Sequence, residues 1–366
     1  MKFLKPLFTL VLFVVIAGTE NLQAQDYYAY VAAESEDMVH LIHFNAETQQ
    51  ATIAETIEVG RYPTETDGPH GITVAPDGKH WFVSIAHGNP YGMLAKYSTE
   101  TNKLVSTTDL GMFPASMEIS EVTGLLYVVN FNLHGEMKPS SVSVVEPESM
   151  TRITDIETGI MPHGSRIGAS GKYQYHVSMM TDELIQINTQ TLEVSKRFKL
   201  SETKGGMSGH KDMDHSKMEH KPVEKPTWAH PHPTKPLIYV AANGSDELLE
   251  INTKKWEITQ RYKTGKAPYN LEVTPDGKYV VVTYKGEGAT GIWDLEEGKE
   301  VAKIENSRKV SHGVTISPDS KYAFISVEGI GGEPGSVEVI NLQTLERVDV
   351  VETGKQAGGI YFWKQS

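Results

Sequence analysis

The most distinctive chemistry in the chain lies in a short polar segment rich in methionine and histidine. Its potential metal ligands are Met207, His210, Met213, His215, Met218 and His220. Thioether sulfur favours Cu(I), and imidazole accepts copper, zinc or nickel, so a mixture of the two favours copper over zinc. The segment has no apolar period, and its glycines disfavour a helix. We interpret residues 205–225 as an inserted copper-binding loop; the alternative is a polar insertion without a metal role.

Part of this segment also carries a resemblance. The stretch Met213–His220, MDHSKMEH, looks like the Met/His-rich repeats of periplasmic copper-resistance proteins. The match is short, and it implies copper handling without specifying a fold.

The N-terminus has the layout of an export signal. Lys2 and Lys5 precede an apolar run, Pro6–Gly18, and a polar stretch follows to Ala24. The run is short for a membrane span and typical of a secretory signal peptide. We therefore expect a signal peptide at residues 1–24, cleavage near Ala24, a periplasmic or secreted mature chain, and no membrane span.

Composition narrows the classes of partner. The chain has no cysteine, which excludes disulfides and c-type haem attachment. Its formal net charge is −13. Such an acidic surface disfavours nucleic acid and attracts cations.

A turn followed by an alternating strand recurs along the mature chain. Examples are Ala75–Ser84 (APDGKHWFVS), Thr274–Thr283 (TPDGKYVVVT) and Ser317–Ser326 (SPDSKYAFIS). Two further strands and a short apolar strand lead to the next such turn, and this unit occurs seven times. The repeat predicts an all-β, seven-bladed β-propeller of four-stranded blades, a single domain over residues 25–366. Because the chain starts on a second strand, Tyr27–Ala32, and ends on an isolated first strand, Gly358–Lys364, we expect the C-terminal strand to close the ring in the N-terminal blade.

The repeats resemble the YVTN family of lactonase-like seven-bladed propellers. The residues that carry the resemblance are Leu125–Asn130 (LLYVVN), Leu237–Asn243 (LIYVAAN), the PDG and PDS turns, and the IN, WD and VINL endings of the second strands. The resemblance covers essentially the whole mature chain except Gly205–Lys225. It is specific for fold and weak for function, because propellers host many activities.

The histidines fall at defined positions of the repeat. Counting nine residues back from the turn lysine or its equivalent gives the residue that opens each innermost strand: His70, Ser116, His163, Thr227, Tyr269, His312 and Gly358. In propellers of this kind the position resembles the rim of the central channel. Each of the three histidines precedes a glycine, which lets the backbone approach closely.

Loops after the second strands are expected to open onto the same face. They carry His87, His134 and Met179, and the Met/His insertion occupies a connection that leads to the same rim. We therefore predict a composite metal site in which the insertion assists the rim. Its candidate ligands are His70, His87, His134, His163, His312, Met179, the six insertion residues, and His230 and His232 from the innermost strand that follows the insertion.

Several functions fit these features. The first is copper capture, storage or delivery. The second is an enzyme: nitrous oxide reductase also gathers histidines in a seven-bladed propeller around copper, but this chain lacks a cysteine for an electron-transfer copper domain. The family resemblance implies a lactonase-like hydrolase as another possibility, with Glu34, Glu118, Arg166, Tyr269 and Glu328 near the channel. The third is a scaffold that docks a periplasmic protein partner.

Overall fold

The computed structural model describes residues 25–61, 64–87, 91–201 and 222–366, which form a ring of seven four-stranded antiparallel sheets. From the innermost strand outward, blade I contains β28 (Ala357–Gln365), β1 (Asp26–Ala33), β2 (Met38–Asn45) and β3 (Gln50–Glu58). Blade II contains β4 (Pro69–Val74), β5 (His80–Ile85), β6 (Met93–Ser98) and β7 (Leu104–Asp109). Blade III contains β8 (Pro114–Ile119), β9 (Leu126–Asn130), β10 (Pro139–Glu146) and β11 (Thr151–Ile160).

The remaining blades repeat the pattern. Blade IV contains β12 (Pro162–Ile167), β13 (Tyr173–Ser178), β14 (Glu183–Asn188) and β15 (Glu193–Lys199). Blade V contains β16 (Pro226–Pro231), β17 (Leu237–Ala242), β18 (Glu247–Asn252) and β19 (Glu257–Lys263). Blade VI contains β20 (Pro268–Val273), β21 (Tyr279–Tyr284), β22 (Ala289–Asp294) and β23 (Lys299–Glu305), and blade VII contains β24 (Val310–Ile316), β25 (Tyr322–Glu328), β26 (Ser336–Asn341) and β27 (Glu346–Glu352). Within the described ranges the only helical element is a 3₁₀ turn, Glu34–Glu36, and no helix has the length and hydrophobicity needed to cross a membrane.

The ring is closed by the two ends of the described chain. Strand β28 pairs antiparallel with β1, with Val31 opposite Ile360 and Ala33 opposite Ala357. The C-terminal strand therefore completes the N-terminal blade and leaves no unpaired edge at the seam. The prediction of an all-β seven-bladed propeller, including this closure, is confirmed.

Hydroxyl side chains on second strands link neighbouring innermost strands. Ser84 accepts a hydrogen bond from the Gly71 amide of its own blade (2.8 Å) and donates one to the Ala115 carbonyl of the next blade (3.3 Å). Thr283 and Ser326 make the same bridge in blades VI and VII. These bridges hold the innermost strands at a fixed spacing around the channel, and they explain why the strand of the sequence repeat ends in serine or threonine.

Glycine follows the rim histidines because the next blade leaves no room for a side chain. A Cβ atom would lie 1.8 Å from the Ala115 carbonyl oxygen at Gly71 and 2.4 Å from the Thr227 carbonyl oxygen at Gly164. Separations this short are forbidden sterically. The His-Gly pairs on the innermost strands therefore have a packing cause that is independent of any ligand.

Candidate functional site

Strand register defines which residues are equivalent around the channel. Pro69, Pro114 and Pro162 each begin an innermost strand and pair with the last or penultimate position of the second strand. The next residue in each blade forms what we call the rim ring: His70, Ala115, His163, Thr227, Tyr269, His312 and Gly358. The sequence count was wrong in blade III, where Gly124 occupies the position of the turn lysine, so Ala115 and not Ser116 belongs to the ring.

Aromatic contacts connect the five histidines that are followed by glycine. The His70 and His312 rings lie 5.8 Å apart between centroids, and His87 and His134 lie 6.2 Å apart. Phe113 packs against His70, His87 and His134 at 5.3 to 5.6 Å. The His163 ring contacts the Tyr269 ring, whose centroid lies 4.8 Å from that of His312. The structure thus gathers the five histidines on one face, and their role as metal ligands stays a prediction.

Glu34 holds two of these histidines. Its carboxylate contacts His70 Nδ1 and His87 Nε2, each at 2.8 Å. Burial raises the pKa of Glu34, but the charges and hydrogen bonds of the two imidazoles outweigh burial, so the pKa lies well below its usual range. The hydrogen bond to Glu34 raises the pKa of His87. Because an ionised carboxylate only accepts, His70 must donate through Nδ1, and its neutral form keeps Nε2 free.

His163 is held neutral and fully hydrogen-bonded. Its Nδ1 donates to the Thr227 carbonyl at 2.7 Å, and its Nε2 accepts from the Tyr269 hydroxyl at 3.2 Å. Burial lowers the pKa of His163 to about 3. Lys285 lies 4.3 Å from the centre of the Tyr269 ring and pairs with Glu328 at 3.0 Å. A neutral imidazole, a phenol and an ammonium group therefore meet beside the channel.

His312 retains a free nitrogen. Its Nε2 faces the Glu328 carboxylate at 3.7 Å, and its Nδ1 is buried without a hydrogen-bond partner in the described part of the chain. Burial, followed by the charge of Lys285, lowers the pKa of His312 well below its ordinary value. The side chain is therefore neutral, and because Nε2 points to a carboxylate, Nδ1 is the acceptor.

A second ring lies three residues farther along each innermost strand. We call Thr73, Glu118, Arg166, His230, Glu272, Thr315 and Tyr361 the lower ring. Arg166 lies 3.7 Å from Glu272 and 5.0 Å from the Trp228 ring. Glu118 accepts the Ile167 amide of the next blade, and Glu272 accepts the Ile316 amide at 3.1 Å. Burial raises the pKa of Glu118, and it raises that of Glu272 to about 7.

Two candidate ligands, His230 and His232, are placed away from a shared rim site. His230 belongs to the lower ring and contacts the Pro231 carbonyl at 2.9 Å. The His232 Nδ1 accepts the Thr234 and Lys235 amides in the turn after β16, at the opposite end of that strand from the rim. Met179 lies on the rim face, packed against a buried cluster formed by Ala86, Phe113, Ala115 and Phe131, and its role as a ligand stays a prediction. The sequence could not distinguish these orientations, because each depends on register and on neighbouring blades.

The Met/His insertion joins the propeller on the rim face. Residues 202–221, and with them the candidate ligands Met207, His210, Met213, His215, Met218 and His220, lie outside the described residues. On either side of this range, Leu200 donates its amide to the Asp182 carbonyl at 2.9 Å and Val223 donates to the Asp182 carboxylate at 2.6 Å. Asp182 belongs to the loop after β13, the same loop type that carries His87 and His134. Both flanks of the insertion are therefore attached at one point of this face.

The described residues do not form a complete metal site by themselves. Among them, no group of three or more histidine, aspartate or glutamate side chains is arranged to hold a metal ion. The residues considered for hydrolysis are divided between levels: Tyr269 and Glu328 lie at the rim with Glu34, whereas Glu118 and Arg166 lie in the lower ring. The sequence analysis missed Trp228, Asn270 and Glu272. Trp228 and Asn270 lie one residue after a rim position, and Glu272 lies three residues after one, so the same count could have found them.

Comparisons with known proteins support the fold alone. No protein-family model matches the chain, and no curated protein matches it. Among solved structures, it is similar to a "putative 6-phosphogluconolactonase" from Bacteroides uniformis, with a TM-score of 0.70 and 14% sequence identity. The match covers 92% of this chain and 99% of that chain.

Proposed function

We propose that this protein binds copper at the mouth of its channel, for capture, storage or delivery of the ion. The observation that carries the proposal is the pair formed by His70 and His312. Each has one ring nitrogen left free to accept, and their ring centroids lie 5.8 Å apart. With a metal–nitrogen distance of about 2 Å, two imidazoles on one ion have centroids roughly 5 to 6.5 Å apart.

The surroundings of the pair suit a metal ligand. The contact from Glu34 to His70 Nδ1 is the carboxylate–histidine arrangement that orients a metal-binding imidazole and raises its basicity. His312 is neutral, which is the form that coordinates. Since no group of three or more histidine, aspartate or glutamate side chains among the described residues is arranged to hold a metal ion, we assign the remaining ligands to the insertion. Both flanks of the insertion are attached at Asp182 on this face, and tethering in general raises the effective concentration of ligands.

The test is a competition titration of metal-free protein with Cu(I) and a chromogenic chelator, in anaerobic buffer. We expect binding tighter than micromolar, about tenfold to hundredfold weaker binding in His70→Gln/His312→Gln, and a lower stoichiometry when residues 207–220 are deleted. His43→Gln is the matched control, because His43 contacts Asp26 on β1 at the outside of the ring. Absence of binding tighter than micromolar in the wild-type protein contradicts the proposal; equal affinity in the double variant contradicts the assigned pair.

A lactonase-like hydrolase is the second candidate. The group formed by His163, Tyr269 and Lys285 favours it, since the neutral His163 imidazole can accept the proton of the Tyr269 hydroxyl as a general base and the half-buried Lys285 ammonium can stabilise an oxyanion. The structural neighbour's name adds weak support. The test is hydrolysis of a lactone panel by protein stripped of metal. Turnover that is lost in Tyr269→Phe and Lys285→Met, and unaffected by added copper, supports this candidate; no turnover excludes it for the lactones tested.

A further inference from the structure

Between the rim ring and the lower ring, three side chains occupy positions that the fold leaves to glycine elsewhere. The residue after the rim position is Gly71, Gly164, Gly313 and Gly359 in four blades, where the neighbouring strand approaches closely. In the other three blades it is Ser116, Trp228 and Asn270. Blade packing accounts for the Trp228 ring, which belongs to a buried cluster with Tyr239 and Leu271, but not for its unpartnered indole N–H. It also does not account for the polar side chains of Ser116 and Asn270, because four blades pack without a side chain at this position.

These side chains line one cavity, and each has an unpartnered polar atom. Ser116 Oγ, Trp228 Nε1 and Asn270 Oδ1, together with His312 Nδ1, are buried and have no hydrogen-bond partner among the described residues. The four residues are 5 to 7% exposed. All four line a cavity of about 30 Å³ in the channel. Buried polar groups are normally satisfied, so four orphaned atoms around one space indicate that something fills it.

The donors and acceptors define the chemistry of the occupant. Trp228 Nε1 only donates, Asn270 Oδ1 only accepts, neutral His312 accepts through Nδ1, and Ser116 does either. Two acceptors and two donors match two hydroxyl groups, each of which donates once and accepts once. An ionised carboxylate would face both acceptors, and an ammonium group would face the indole N–H. Arg166 adds no free positive charge, since Glu272 lies 3.7 Å from it.

We propose that this cavity binds the vicinal diol end of a neutral polyhydroxylated ligand that enters from the rim. A water molecule needs about 10–15 Å³ measured in the same way, so the cavity holds about two oxygen atoms with their hydrogens. Two adjacent hydroxyl groups reproduce the hydrogen bonds of two ordered waters while their carbon chain extends toward His70 and His163. The larger part of the ligand then lies at the mouth.

The diol site and the copper site share one atom. Both use His312 Nδ1, so copper and a diol are expected to compete. Diol binding itself is independent of copper, and it is therefore measured on metal-free protein. Failure of copper binding removes the competition but leaves the diol measurement intact.

The experiment is ligand-observed NMR and calorimetry with D-sorbitol and glycerol as diols, and with 1-propanol, formate and methylammonium as controls. We expect millimolar or tighter binding of the diols only, and at least a fivefold loss in Asn270→Gly and Ser116→Gly. Glycine stands at the same position in four blades, so these variants are expected to fold; Ser149→Gly, in an exposed hairpin of blade III, is the matched control.

Three outcomes overturn the proposal. Stronger binding of formate than of either diol reverses the assigned charge preference. Equal diol affinity in the wild-type protein and the glycine variants shows that the diol binds at another place. A crystal structure soaked in glycerol that shows two waters between Ser116 and Asn270, with no displacement, identifies the occupant as solvent.

Discussion

The rim ring and the lower ring belong to the same seven strands, three residues apart, yet they use ionisable groups in opposite ways. In the lower ring, Glu118 and Glu272 each accept an amide from the next blade and flank Arg166, so these carboxylates hold neighbouring blades together. At the rim, His70 and His312 each keep one nitrogen free. The comparison teaches that burial and charge alone do not identify a functional site: the two lower-ring carboxylates join blades, whereas the rim leaves imidazole nitrogens that a ligand can use.

The largest expected effect comes from removing the cation of the lower ring. Arg166→Met leaves Glu118 and Glu272 buried without their positive partner, and breaking a buried pair costs about 3–5 kcal/mol. Urea unfolding at pH 8 measures the loss. Arg166→Met combined with Glu118→Gln and Glu272→Gln should recover much of it, and a single variant as stable as the wild-type protein would show that the arginine is not needed.

A smaller effect is expected from the carboxylate that orients the rim. Glu34→Gln replaces two charge-assisted hydrogen bonds, worth about 1.5–3 kcal/mol each, with weaker ones. The pKa of His87, which the Glu34 carboxylate raises, should fall, and NMR titration of that imidazole reports it directly. If copper binds at His70, its affinity should drop about tenfold to hundredfold in the same variant. An unchanged His87 pKa would contradict the assigned contact.

Glu272 of the lower ring and His163 of the rim ring should also differ in the sign of the pH dependence that they give to stability. The pKa of Glu272 is raised to about 7 in the folded protein, above its ordinary value of 4.5, so the folded state holds the extra proton and stability falls as pH rises through this window. The pKa of His163 is lowered to about 3, below its ordinary value of 6.5, so its contribution to stability falls as pH drops through that window.

Substitution separates the two contributions. Glu272→Gln should flatten the stability loss between pH 4.5 and 7, and His163→Gln should flatten the loss between pH 6.5 and 3, each by up to about 1.4 kcal/mol per pH unit. Chemical unfolding across pH 4 to 8 provides the measurement. Contributions of opposite sign to the slope of unfolding free energy against pH support the comparison, and contributions of the same sign contradict it.

Part of the site could be predicted because it follows the repeat. The count from the turn lysine placed His70, His163 and His312 at one level of the channel, and loop type placed His87 and His134 on the same face. The count missed the correct residue in blade III, since a glycine replaces the lysine there. It also assigned His232 to the metal set, whereas its ring caps the turn after β16. A single histidine's direction depends on local hydrogen bonds that no period encodes.

By itself, the amino-acid sequence determined the period of the strands and the position of the turns, because these depend on backbone pairing between neighbouring segments. It also determined the closure of the ring, because the repeat leaves an unpaired second strand at one end and an isolated first strand at the other. Only the tertiary structure decided which polar atoms remain unpartnered. Glu34 reaches His70 and His87 only once blade I closes against blade II, and Tyr269 reaches His163 across 106 residues of chain. Ser116, Trp228 and Asn270 share a cavity for the same reason: side chains from distant blades meet at the axis only after the ring has formed.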